Sequence, residues 1–79
     1  MKLPVVSSAH LVRSLRRAGF ADAVHKGKGS HVALFKIDEH GHKRLVIVPR
    51  RDPVPAGTLH SIMKQSGLSR EAFIELLTC

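Results

Sequence analysis

Ser30-His-Val-Ala-Leu-Phe-Lys-Ile37 and Arg44-Leu-Val-Ile-Val-Pro49, separated by the polar stretch Asp38 to Lys43, decide the fold. Two apolar runs of strand length joined by so short and polar a link predict an antiparallel hairpin. A third run, Ala21 to Lys26, precedes them across the turn Lys26 to Gly29, which extends the hairpin to a three-stranded antiparallel meander. The alternation is incomplete. Val32 and Leu34 point to one face, Ala33, Phe35 and Ile37 to the other, and Leu45 to Val48 is apolar throughout. Helices drawn from a chain of 79 residues can cover only one side of such a sheet, so the other face or an edge is expected to meet a partner.

Helices are expected on both sides of the meander. Ser7 or Ser8 is placed to cap a helix running to about Ala18, with Leu11, Val12, Leu15 and Ala18 on one stripe and His10, Arg13, Arg16 and Arg17 on the opposite face. Gly19 suits the left-handed position after it, and Phe20 the hydrophobic contact that follows. Pro53 and Pro55 make Arg50 to Gly57 a linker that ends the third strand. A second helix is expected from about Thr58, capped by that residue after Pro55 and Gly57, with Leu59, Ile62 and Met63 facing inward and a stop at Ser66-Gly67. Ser69 then caps a last helix whose apolar face is Ala72, Phe73, Leu76 and Leu77.

Size and composition narrow the function classes. The length makes one domain, residues 1–79. The single cysteine, Cys79, leaves no intrachain disulfide and fits a cytoplasmic protein. No signal peptide or membrane span is expected, because the longest uninterrupted aliphatic stretch is Leu45 to Val48. Thirteen Lys and Arg against six Asp and Glu give a formal charge of +7, which points to nucleic acid or an acidic protein partner. With no Trp or Tyr and three Phe, base stacking is poorly served, so contact should fall on the phosphate backbone.

Gly29-Ser30-His31 carries the chemistry. It follows the basic turn Lys26-Gly27-Lys28, where glycine lets an anionic backbone come close and histidine can move a proton near neutral pH. Phosphodiester cleavage is the reaction suggested. His40 and His42, with Asp38 or Glu39, fall short of a metal site because no further ligand is near in sequence.

A helix, three antiparallel strands and another helix, rich in Lys and Arg, is the α+β layout of the double-stranded-RNA-binding domain. The chain resembles the HicA toxins of bacterial and archaeal toxin–antitoxin systems, small mRNA interferases of that fold. The resemblance is carried by the opening helix ending in Gly19-Phe20, by Gly29-Ser30-His31, by Val48-Pro49, and by Pro55-Ala-Gly-Thr-Leu-His-Ser-Ile-Met-Lys-Gln-Ser-Gly-Leu68. It implies an α-β-β-β-α order with an additional short C-terminal helix, and an endoribonuclease without cofactor in which His31 is catalytic.

Gly29 and Ser30 would support that histidine. Lys26, Lys28, Arg44, Arg50 and Arg51, with Arg13, Arg16 and Arg17, are the expected phosphate contacts on mRNA. A second acid or base is sought among His25, Lys26, Lys28 and Arg44. Where the family often follows its histidine with another polar residue, this chain has Val32-Ala33-Leu34-Phe35, so those positions offer no assisting group. The implied partner is a HicB-type antitoxin, the only expected route to an oligomer. Two rival readings share the residues: a non-catalytic RNA-binding module, and a basic domain that docks on an acidic protein.

Overall fold

The computed structural model of the chain describes residues 2–23 and 31–78. Its elements run α1 (Ser8–Arg17), β1 (Ala21–Asp22), β2 (His31–Ile37), β3 (Lys43–Pro49), α2 (Ala56–Ser66) and α3 (Arg70–Thr78). The three strands form one antiparallel sheet in the order β1-β2-β3, as the hairpin pattern requires. The expected continuation of the first strand to Lys26 and the turn to Gly29 lie outside the described residues from Val24 onward. Pairing does continue one step past Asp22, where the Ala23 N–H donates to the Ala33 carbonyl at 2.9 Å.

Local chemistry explains the helix ends. Ser7 caps α1, its Oγ accepting the His10 N–H at 3.1 Å, which satisfies a donor that the first turn leaves over. At the other end Gly19, at φ +100°, reverses the chain. Its N–H returns to the Arg16 carbonyl while the Phe20 N–H reaches that of Leu15, both at 3.0 Å, and Phe20 is buried against the core. Lys36 Nζ donates to the Ala18 carbonyl at 2.7 Å, placing a cation at the negative end of the helix.

α2 begins at Ala56, two residues before the expected start. Pro55 occupies the capping position at φ −57° and makes no side-chain cap bond; its fixed φ is already compatible with a helix start. Thr58 therefore stands inside the first turn and is not the cap. The helix ends at Gly67, at φ +76°, where a Cβ would come within 2.8 Å of Arg44 Nε. Both the conformation and the space select glycine there. In α3, Ser69 Oγ accepts the Ala72 N–H at 3.1 Å. Phe73 and Leu77 are buried and Leu76 partly so, but Ala72 is exposed.

The core lies between the helices and one face of the sheet, joining Leu11, Leu15, Leu34, Val46, Val48, Leu59, Ile62, Phe73 and others. On the opposite face Phe35, Leu45 and Ile47 remain half-buried, and Ile37 is 54% exposed. β3 is an edge strand. The Ile47 N–H turns away from β2 and donates to Gln65 Oε1 at 3.2 Å. By the two-residue repeat, Pro49 also presents its nitrogen to that outer edge, where a missing N–H breaks no ladder bond.

Asp38 organises the β2–β3 turn. Its Oδ1 accepts the N–H groups of His40 and His42 at 2.9 and 2.8 Å, and Oδ2 accepts Arg44 Nε at 3.0 Å. These bonds hold its carboxyl below the ordinary aspartate range, the His42 N–H contributing most, with desolvation opposing and the His40 N–H and Arg44 adding to it. A lowered folded-state value means that the stabilisation is complete above the unfolded carboxyl's pKa, about 4, and is lost as pH falls through the lower folded one. Asp38→Ala should therefore melt below the parent at pH 7, with the gap narrowing as the carboxyl protonates in acid. Paired thermal melts at neutral and acid pH check this, and a gap that persists in acid would assign the stabilisation to another group.

Candidate active site

His31 is the first residue of β2 and stands opposite Pro49, the last residue of β3. It is exposed at the end of the strand pair. Beyond it opens a groove of about 450 Å³ lined by His31, Ile47, Pro49, Arg50, Arg51 and Thr58, within the size range of ligand clefts. One histidine, two arginines and one threonine thus line the same groove as the apolar Ile47 and Pro49. Guanidinium groups stay charged at any physiological pH and match phosphate oxygens in pairs. Histidine is the member that can gain or lose a proton there.

The backbone that presents the two arginines is tied down. The Arg51 N–H returns to the Pro49 carbonyl at 2.9 Å, a three-residue turn centred on Arg50. The Ser8 N–H then donates to the Arg51 carbonyl at 3.2 Å, and the Val54 N–H to the Val6 carbonyl at 2.9 Å. Val6 and Val54 are both buried. The arm before α1 and the linker after β3 are thereby stapled together, holding the arginine turn beside the start of α1.

The remaining expected site residues are dispersed. Arg13 and Arg16 line a second groove that also contains Arg50. Arg16 forms an exposed pair with Asp22 at 2.9 Å. Arg17 leaves that face and donates to the Leu76 carbonyl of α3 at 3.1 Å and to Ser14 Oγ at 3.4 Å. His10, expected on the solvent face, is half-buried instead, its Nε2 2.6 Å from the Leu77 carbonyl. Arg44 faces Lys36 across the strand pair, five positions along β2 from His31, with its guanidinium on Asp38. It is not brought to the groove.

Gly29, Ser30, His25, Lys26 and Lys28 lie outside the described residues. His40 and His42 sit on the far turn with ring centroids 6.3 Å apart, and the carboxylate of Asp38 there is engaged by backbone N–H groups and Arg44.

The family model described as the HicA toxin of bacterial toxin-antitoxin matches residues 8–68, from the first residue of α1 to just past α2. The chain belongs to the HicA toxin family. No curated protein matches it. The match takes in the whole His31 groove of this HicA toxin and leaves α3 outside. Thr58 is the polar lining residue that the sequence did not single out for the site, and Ile47 and Pro49 are the apolar ones. Thr58 falls within the segment from Pro55 to Leu68 that carries the resemblance, but its type and place before an apolar stripe favoured reading it as a cap.

The staple gives this site a mechanical dependence on buried valines. Val54→Ala should cost about 2 kcal/mol from lost burial and the space left behind. Urea denaturation measures it, and a loss below about 0.5 kcal/mol would mean that the linker is held by other contacts.

Proposed function

We propose that this HicA-family toxin is an mRNA interferase: a metal-independent endoribonuclease in the cytoplasm that cleaves mRNA through His31 and is held inactive by a HicB-type antitoxin. The observation that carries the reading is the exposed His31 in one groove with Arg50 and Arg51. RNA supplies its own nucleophile in the 2′-hydroxyl. Cleavage requires removal of that proton, protonation of the departing 5′-oxygen, and neutralisation of charge on the phosphorane between them. His31 serves one of the two proton transfers. Arg50 and Arg51, which cannot give up a proton, hold the phosphate and stabilise the added charge, and Thr58 offers a hydroxyl hydrogen bond. The other transfer, in whichever direction His31 does not serve, is made by water or by one of His25, Lys26 and Lys28.

His31→Ala should lower the cleavage rate by about 10²–10⁴-fold while leaving the thermal melt within a few degrees, since an exposed residue at a strand start packs little. Replacing the scissile ribose by 2′-deoxyribose should stop the reaction, and a chelator should not. A His31→Ala protein that still cuts RNA at the parental rate overturns the assignment. A parent that binds RNA without cutting it favours the non-catalytic module of the same fold.

The antitoxin should act by occupying this groove and the apolar face beside it, where Phe35, Leu45 and Ile47 stand half-buried. A partner that combines apolar cover with acidic residues fits both. RNA and antitoxin should then compete for the His31→Ala protein. Simultaneous saturable binding of both, each at its separate affinity, would place inhibition elsewhere.

A further inference from the structure

Arg50 stands in the wall of two grooves. The first is the His31 groove. The second, of about 310 Å³, lies between one side of α1 and the start of β2 and includes Val12, Arg13, Arg16 and Val32. His31 and Val32 are consecutive on β2, so their side chains leave the strand on opposite faces. The two grooves thus meet around the end of the β2–β3 pair, with Arg50 at the junction.

Charge is not spread evenly over this surface. Arg16 is matched by Asp22, and Arg17 is drawn away to α3. Arg13 and Arg50 line the second groove, and no acidic residue is among the described residues that line it. Two guanidinium groups beside one concavity repel each other unless an anion lies between them. A polyanion that reaches His31 past Arg50 runs next into Arg13.

We propose that the α1 groove is a second RNA subsite, in which Arg13 and Arg50 seat a phosphate flanking the one cleaved at His31. The inference rests on the ribonuclease reading and extends it: efficient substrates must continue beyond the cleaved dinucleotide on one side. A dinucleotide fills the first groove alone. An octanucleotide with the same central step fills both.

The experiment compares these two oligoribonucleotides on the parent, Arg13→Ala and Arg13→Lys. One phosphate contact on a single strand contributes about fourfold in affinity at 0.15 M salt and about 0.7 to the slope of log K against log salt. Arg13→Ala should lower kcat/KM on the octanucleotide by about that factor, chiefly through KM, and leave the dinucleotide within twofold. Arg13→Lys should recover part of the loss. Equal losses on both substrates, or no loss on the octanucleotide, overturn the subsite.

Fluorescence anisotropy with the His31→Ala protein and its His31→Ala/Arg13→Ala double variant separates the two levels of the reading. If the parent cuts neither substrate, cleavage has failed, yet the subsite still stands when Arg13→Ala removes about 0.7 from the octanucleotide salt slope. An unchanged slope overturns it.

Discussion

A slip of one residue between β2 and β3 would exchange the faces of one strand relative to the other, and the molecule depends on that not happening. In the observed register Leu34 faces Val46, and Val32 faces Val48. These residues form the sheet's contribution to the core. The same register puts His31 opposite Pro49 at the very end of the pair, where the chain leaves the sheet and turns through Arg50. Core and site are therefore set by one pattern of strand pairing. A sequence change that loosened the hairpin would disturb both together.

Among the described residues, part of the positive charge behind the +7 total is used away from the groove. Arg44 is engaged with Asp38 at the far turn, and Lys36 with the end of α1. Arg17 holds the last carbonyls of α3 together with His10. In these places positive charge serves helix ends and turns, where carbonyl oxygens and a carboxylate accept it. Among the described residues, Arg50 and Arg51 are the arginines that line the His31 groove. A residue count measures total charge, but the fold decides which part of it faces a ligand.

Much of this was legible in the chain because the signals were local. Ser7, Gly19 with Phe20, Gly67 and Ser69 each mark a helix end through bonds to residues within a few positions, and each does so in the structure. The strand order followed from link length, and the half-buried apolar outer face from imperfect alternation. His31 was singled out by its Gly-Ser context and by resemblance.

What escaped was long-range. The staple of Val6 to Val54 and Ser8 to Arg51 is made of backbone bonds, for which no side-chain pattern exists. Arg17 looked solvent-facing by helical spacing, because α3 had not yet been placed beside it. Arg44 looked close to the site because the hairpin is short in sequence, although its strands are extended and separate its ends. Thr58 was read as a cap because the conformational preset of Pro55 was given too little weight.

The outer edge of β3 has a consequence for how other chains can approach. Exposed strand edges invite backbone pairing with a foreign strand. Near the site this edge is blunted, since Gln65 already takes the Ile47 N–H and Pro49 has none to give. A newcomer cannot lengthen the sheet along that half of β3 without displacing a side chain and forgoing a bond. The apolar face beside it is open to side-chain contact instead, half-buried at Phe35, Leu45 and Ile47 with Lys43 Nζ 5.2 Å from the Phe35 ring centre. Association at this end is thereby steered away from fibre-like strand addition and towards packing of side chains on the broad face, a contact that closes on itself once the face is covered.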